Sequence, residues 1–241
     1  MSLDTAKTVR EAALSNPAAT RVFEKFGIDY CCGADKSLEQ ACGEANLQIQ
    51  QVLESLKSAA AADLVRGEGK NWLAEPLADV IAHIANTHHK YTREEIARLG
   101  PLFAKVCSVH GHGHPELIAI HEKFRALAQE LSTHMMKEEV VLFPYIERME
   151  ESVIAGEPTL PAPFGTVNNP VAMMMHEHDS AGTLLRSMRD LSSGYQPPAN
   201  ACVSYKTLYS ALAEFERDLH QHIHLENNIL FPRAIEMERS R

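Results

Sequence analysis

An eleven-residue element occurs twice in this chain: His134-Met-Met-Lys-Glu138-Glu-Val-Val-Leu142-Phe143-Pro144 returns 88 residues later as His222-Ile-His-Leu-Glu226-Asn-Asn-Ile-Leu230-Phe231-Pro232. Residues four apart on an α-helix share a face, so each copy aims one imidazole and one carboxylate at the same point. Two such helices facing each other supply two His and two Glu, and a carboxylate can bridge two cations roughly 3.5–4 Å apart. A single HxxxE would carry little, because an intrahelical His–Glu hydrogen bond on a solvated face makes the same pattern. Recurrence with the same Leu-Phe-Pro tail selects the paired-metal reading.

A duplication also predicts what surrounds it. From Pro76 onward the apolar periodicity is close to 3.6 and no β-branched run alternates with polar residues, which predicts four long helices near 76–106, 114–150, 170–193 and 200–238. Gly156 to Gly165, with three prolines, cannot continue a helix and marks the midpoint, so each half reads as a helical hairpin. Four antiparallel helices with inward ligands are a bundle solution for di-metal centres. The first helix of each hairpin should then contribute as well. His178 stands 44 residues before His222, and His89 stands 45 before His134. The set becomes His89, His134, Glu138, His178, His222 and Glu226. Four imidazoles as end ligands and two bridging carboxylates suit a pair of first-row metals, and so many nitrogens favour iron over calcium or magnesium. The stripe Leu77, Ile81, Ile84, Tyr91 would instead turn the neighbouring His88 inward; the repeat spacing favours His89.

Residues 1–57 read as a small helical domain. Thr8-Val9-Arg10-Glu11 opens an Ala/Leu run, Asn16-Pro17 starts a helix carrying Val22, Phe23 and Phe26, and Gly27 stops it. Ser37 to Leu56 reads as a further helix. Residues 58–75, alanine-rich and then Val65-Arg-Gly-Glu-Gly-Lys70, read as a linker into the bundle of residues 76–241.

Composition narrows the function classes. With 23 basic against 32 acidic residues the net charge is −9, and no basic run forms, so nucleic acid is not an expected partner. The N-terminus has no continuous apolar core of a signal peptide, and no stretch approaches the roughly 18 apolar residues of a membrane span. A soluble cytoplasmic protein is expected. Five cysteines, an odd number, do not make a disulfide framework in a chain of this size. Cys42, Cys107 and Cys202 are isolated in helical patterns and read as small buried hydrophobes; Met135, Met136, Met173, Met174 and Met175 read as packing. His83, His121, His176 and His224 have no repeat partner and read as surface or ligand-orienting residues. Cys31-Cys32 differs, because adjacent Cα atoms lie about 3.8 Å apart, below the usual disulfide span. A bond between them would be strained, which suits redox chemistry or transient metal holding better than stapling. The competing reading is two small buried residues at a turn.

Asp29-Tyr30-Cys31-Cys32-Gly33 in a short helical N-terminal domain, together with His134-Met-Met-Lys-Glu138-Glu and Leu225-Glu226-Asn227-Asn228, resembles the Repair of Iron Centres family over nearly the whole chain. That resemblance implies an all-α fold with a hemerythrin-like antiparallel four-helix bundle, a non-haem centre of two iron ions and a cytoplasmic location. It implies a role in restoring iron–sulfur clusters damaged by nitric oxide or peroxide, with damaged or apo iron–sulfur proteins as partners. The family's ligands map onto the same six residues, and its vicinal cysteines onto Cys31 and Cys32, candidate redox or metal-transfer thiols. Ala34 departs from a common second glycine, and His110 falls where the family often has a histidine, a candidate for orienting a ligand or lining an access route. Iron donation is the leading expectation. A hemerythrin-like oxygen or nitric oxide binder or sensor, and a di-iron nitric oxide or peroxide reductase, are the alternatives; a second copy of the chain is a candidate partner.

Overall fold

The computed structural model describes residues 7–16, 18–66, 70–158 and 161–240, and its secondary structure is helical throughout, with no strands among them. Pro17, residues 67–69 of the expected linker and residues 159–160 of the expected midpoint loop lie outside the described residues. Two compact units form, one from residues 1–76 with 220–232, the other from 77–219 with 233–241.

In the first unit, α1 (Val9–Ser15), α2 (Ala19–Phe26), α3 (Leu38–Glu44) and α4 (Ile49–Arg66) enclose a core of Val9, Phe23, Tyr30, Leu38, Cys42, Val52 and Leu56. Local chemistry sets the boundaries. Thr8 with Glu11 and Ser37 with Gln40 form capping boxes that satisfy the first free N–H groups of α1 and α3. Gly27 ends α2 in the left-handed conformation, φ 68°. The single helix expected over Ser37–Leu56 is broken after Glu44, where Asn46 takes φ 54°, a conformation asparagine tolerates better than most side chains. The segment expected to be a linker from residue 58 is helical through Arg66, because its alanines are the strongest helix formers and extend α4.

The second unit holds α5 (Leu77–His83), a π-helical turn π1 (Ile84–His89) and α6 (Lys90–His110) in one line. A second line runs α7 (Glu116–Lys137), π2 (Glu138–Leu142) and α8 (Phe143–Ala155). The third is α9 (Asn168–Leu191). The fourth is α10 (Val203–Leu225) as far as Leu219 and α11 (Phe231–Arg239) from Arg233; residues 220–232, with π3 (Glu226–Leu230), belong to the first unit. Contacts within this unit run in opposite directions along each neighbouring pair: Leu77 with Glu150 and Cys107 with Leu117, Lys137 with Glu177 and Glu130 with Ser180, Arg189 with Glu216 and Val167 with Glu238, His88 with Asp218 and His110 with Cys202. Neighbouring helices are therefore antiparallel around the bundle.

The duplication reaches beyond the eleven-residue element. Glu150 accepts from the backbone N–H groups of Leu77 (2.7 Å) and Ala78 (2.9 Å) at the start of α5. Its counterpart 88 residues on, Glu238, accepts from Val167 (2.9 Å) just before α9, and also from the Thr166 and Tyr145 hydroxyls. Each half uses the last part of its second helix line to satisfy the orphan donors opening its first. The Leu-Phe-Pro tail explains π2 and π3. Proline lacks the N–H of the i→i−4 bond and its ring collides with that carbonyl. In both copies the carbonyl concerned, Val140 or Asn228, sits inside the widened turn, which moves it off the ring.

Candidate metal centre

Each of the six sequence-selected residues sits beside or inside a π turn, except His178 in the middle of α9. His89 closes π1, His134 lies in the last turn of α7, Glu138 opens π2, His222 lies in the last turn of α10 and Glu226 opens π3. All are buried, Glu138, Glu226 and His89 completely. His134 Nε2 lies 3.0 Å from His178 Nε2 and 3.3 Å from Glu138 Oε2, which also lies 3.4 Å from His89 Nε2. His222 Nε2 lies 2.8 Å from Glu226 Oε1. Two four-residue groups each bring one donor atom per residue within 4.8 Å of the others: His89, Glu138, His222, Glu226, and His134, Glu138, His178, Glu226. Both carboxylates belong to both groups.

The donor set fits a cation. Charges this deeply buried must be compensated, and imidazole with carboxylate is the ligand chemistry of first-row transition metals. The outer faces of two imidazoles are tied down. His89 Nδ1 lies 2.7 Å from Glu139 Oε1, and His134 Nδ1 lies 2.9 Å from Glu177 Oε2. A carboxylate can only accept, so each Nδ1 carries the proton and each Nε2 presents its lone pair to the interior. Arg93 donates to the other oxygen of Glu139 at 2.7 Å, and Lys137 to the other oxygen of Glu177. Burial opposes the ionisation of Glu139, but the hydrogen bonds from Arg93 and His89 prevail and hold its carboxyl below the usual range. Glu177 is lowered in the same way, against its burial, by Lys137 and His134.

Sequence reasoning missed Glu139 and Glu177 as orienting groups. Their signal was adjacency, since each carboxylate stands next to a candidate ligand, but the second repeat copy has Asn227 where Glu139 would be, so the repeat hid it. His88 and His89 are both buried, and π1 separates their fates. A π turn holds more residues than an α turn, so a stripe extrapolated from Leu77 and Ile81 drifts out of register and points at the wrong histidine. His88 Nδ1 pairs instead with Asp218 Oδ1 at 3.0 Å.

The Cys31-Cys32 turn is built on Asp29, whose Oδ1 accepts from the backbone N–H of Cys31 (3.1 Å) and Cys32 (3.0 Å) and from the Cys31 thiol (3.3 Å). The two sulfurs stand 3.8 Å apart as free thiols. Cys31 is buried and Cys32 half-buried. Hydrogen bonding to Cys32, burial and the Asp29 charge all push the Cys31 thiol well up. A Cβ at Gly33 would lie 3.2 Å from the Asp29 carboxyl carbon, so a side chain there would press on the carboxylate that holds the turn. Ala34 is fully buried and its carbonyl receives Arg10 N–H at 2.8 Å, so the turn is anchored without a second glycine.

Three expectations need correction. His110 ends α6, 21 residues beyond His89. At a rise of roughly 1.5 Å per residue this is about 30 Å away, too far to orient a ligand. Cys202 is exposed rather than buried, its sulfur 3.1 Å from His110 Nε2, because it precedes α10 instead of lying within it; Cys107 is half-buried, and only Cys42 packs in a core. Met135 and Met174 are core residues, whereas Met136, Met173 and Met175 are exposed because they face away from the helix stripe. Among the four unmatched histidines, His224 is buried, accepting from Asn228 Nδ2 at 2.8 Å. Burial, assisted by the Arg10 charge, pulls its pKa down to about 4.

An all-helical chain whose buried imidazoles and carboxylates form two four-residue groups sharing both carboxylates is a cation-binding protein of the hemerythrin class. Residues 80–234 match the hemerythrin HHE cation binding domain, and residues 5–60 match a domain described as of unknown function, DUF542. Three relatives extend the match over both parts. The iron-sulfur cluster repair protein YtfE of Musicola paradisiaca is 37% identical over 96% of this chain and 97% of its own length. That of Pectobacterium atrosepticum is 36% identical over 96% and 98%, and the probable iron-sulfur cluster repair protein of Haemophilus influenzae is 35% identical over 93% and 95%. The chain belongs to the hemerythrin-type family of iron-sulfur cluster repair proteins. Among the described residues, no helix is long and apolar enough to cross a membrane.

Proposed function

We propose that this protein restores iron–sulfur clusters damaged by nitric oxide or peroxide, supplying iron from a centre of two ions. The sharing of Glu138 and Glu226 by both four-residue groups carries this reading. His89 and His222 would hold one ion, His134 and His178 the other, and the two carboxylates would bridge them. Iron supplies a redox-active Lewis acid that damaged or apo iron–sulfur proteins lack.

The chain's own residues do the rest. Glu139 and Glu177 hold Nδ1–H of His89 and His134, keeping each Nε2 lone pair directed inward. Complete burial of Glu138 and Glu226 keeps water from competing for their oxygens. Glu138 and Glu226 each open a wide π turn, a placement that would favour transfer of the ions they hold over permanent retention. Cys31 and Cys32 are the proposed redox or metal-transfer thiols, Cys32 the more accessible of the two. Residues 1–57 are the proposed thiol-bearing domain, 58–75 its connection, and 76–241 the iron-bearing bundle.

The test is reactivation of a nitric-oxide-damaged iron–sulfur dehydratase by the purified protein. Iron-loaded wild type is expected to restore activity and to lose iron in proportion. Equal reactivation by a Glu138→Ala, Glu226→Ala double variant overturns iron donation.

A further inference from the structure

Asn228 is a buried side chain with every polar atom engaged. Its Oδ1 accepts from Arg10 Nε at 2.7 Å, and its Nδ2 donates to the Tyr30 carbonyl at 3.1 Å and to His224 Nδ1 at 2.8 Å. Its neighbour Asn227, also buried, directs Nδ2 at the Cys31 carbonyl, 3.5 Å away. Tyr30 is held from its other end as well, its hydroxyl donating to Glu24 Oε1 at 2.7 Å, which also receives Gln221 Nε2 at 3.1 Å. Its ring meets that of His224 edge-on, centroids 5.4 Å apart. The two backbone carbonyls that enter the cysteine turn, of Tyr30 and Cys31, are thus both received by side chains of π3, the turn that Glu226 opens.

We propose that Asn228 is a positioning residue that couples the Cys31-Cys32 turn to the helix segment bearing His222 and Glu226, so that the accessibility of the Cys31 thiol follows the state of that segment. The physical link is short. Glu226 is completely buried, and only Asn227 separates it from Asn228 within one five-residue π turn. When the cation is withdrawn, the buried carboxylate loses its compensating charge and the turn around it must rearrange. Rearrangement of π3 carries Asn227 and Asn228 with it, releases the Tyr30 and Cys31 carbonyls, and opens the turn that buries Cys31. No group outside π3, the end of α10 and the cysteine turn is needed. The Cys31 thiol is thereby shielded while the segment is loaded and presented when it is not.

This inference rests on the reading that Glu226 holds a metal, and the experiment separates the two. Full-length protein, loaded with ferrous iron and with its iron counted, is treated with N-ethylmaleimide, and labelling of Cys31, Cys32 and Cys42 is followed by peptide mass mapping. In loaded wild type, Cys32 labels ahead of Cys31. Asn228→Ala at unchanged iron content is expected to accelerate Cys31 by roughly five- to a hundredfold, the range for an opening released by one lost buried hydrogen-bonding group. Cys42, packed in the domain core, should stay slow. Asn228→Asp keeps the acceptor for Arg10 and removes the donor, so it should accelerate Cys31 too. Chelation of wild type should raise Cys31 labelling, with little further rise in Asn228→Ala. An unchanged Cys31 rate in either variant overturns the proposal, as does a parallel rise at Cys42, which would make Asn228 a support of the whole domain. Insensitivity of wild-type Cys31 to chelation overturns the metal link. Iron absent from wild type at the outset overturns the underlying reading instead.

Discussion

Glu139 Oε1 lies 2.7 Å from Nδ1 of His89, and the same carboxylate is clamped by Arg93 from outside. Two successive glutamates therefore face opposite ways: Glu138 into the interior, Glu139 across to the histidine of the neighbouring helix. Glu139→Gln keeps the size but offers a carboxamide that can turn its NH2 toward Nδ1, which removes the preference for one tautomer. Metal affinity is expected to fall about 10–100-fold, the usual effect of losing such an orienting partner. Competition between the protein and a chelator of known affinity measures it. Wild-type affinity in the variant would remove Glu139 from the site.

The completely buried Glu226 predicts a reversal of sign between loaded and metal-free protein. Without metal Glu226 is a completely buried acid, and Glu226→Gln, which cannot carry a charge there, should be the more stable of the two proteins. With metal in excess the order inverts, since each tenfold loss of affinity removes about 1.4 kcal/mol of linked stabilisation. Thermal melts of both proteins, with iron and with chelator, read the two orders. The same ranking under both conditions would show that Glu226 does not meet the cation.

How much of this was readable beforehand follows from what carries each feature. The six interior residues were legible because they lie on repeated helices at a fixed spacing, so a covalent pattern reported a spatial one. His88 against His89 was not settled by the stripe, because a π turn changes the residue count per turn without changing composition. Phe143-Pro144 and Phe231-Pro232 signal π2 and π3, but no proline follows π1, so nothing local marks the turn that separates His88 from His89. Glu139 and Glu177 act across helices 50 and 43 residues away, a separation no local pattern encodes. Asn227 and Asn228 were quoted as family markers, but their bonds to Tyr30 and Cys31 join residues 196 to 198 apart. The break at Asn46 was missed because the apolar positions on either side of it continue at helical spacing.

Glu150 and Glu238 should behave as corresponding caps, because Glu150 receives the N–H groups of Leu77 and Ala78 and Glu238 that of Val167, each at the start of the facing helix line in its own half. Replacing either with alanine leaves buried donors unsatisfied and should cost about 1–3 kcal/mol. Glu238→Ala should be the larger loss, since the Thr166 and Tyr145 hydroxyls lose their acceptor too. Urea midpoints at constant slope measure both. The two caps receive different backbone donors, so the double variant should be close to additive, and a strongly non-additive result would mean that the two hairpins do not cap independently.

His224 gives the fold an acid limit. Its folded pKa lies at about 4, pulled down first by burial and then by the Arg10 charge, against an ordinary value of 6.5. Between those values the unfolded chain binds a proton at this site that the folded chain refuses. Stability from this group is therefore complete above about pH 6.5 and declines as pH falls toward 4, by roughly 3 kcal/mol in all. Protonation at Nδ1 would also set an N–H against the Asn228 amide that now donates to it. His224→Gln, which can accept from Asn228 without titrating, should flatten that slope. Urea midpoints of metal-free wild type and variant, taken in steps from pH 7 to pH 5, give the difference directly, and subtraction removes the carboxylates and the other histidines common to both. A gap between wild type and variant that stays constant over this range would mean that His224 is not held neutral.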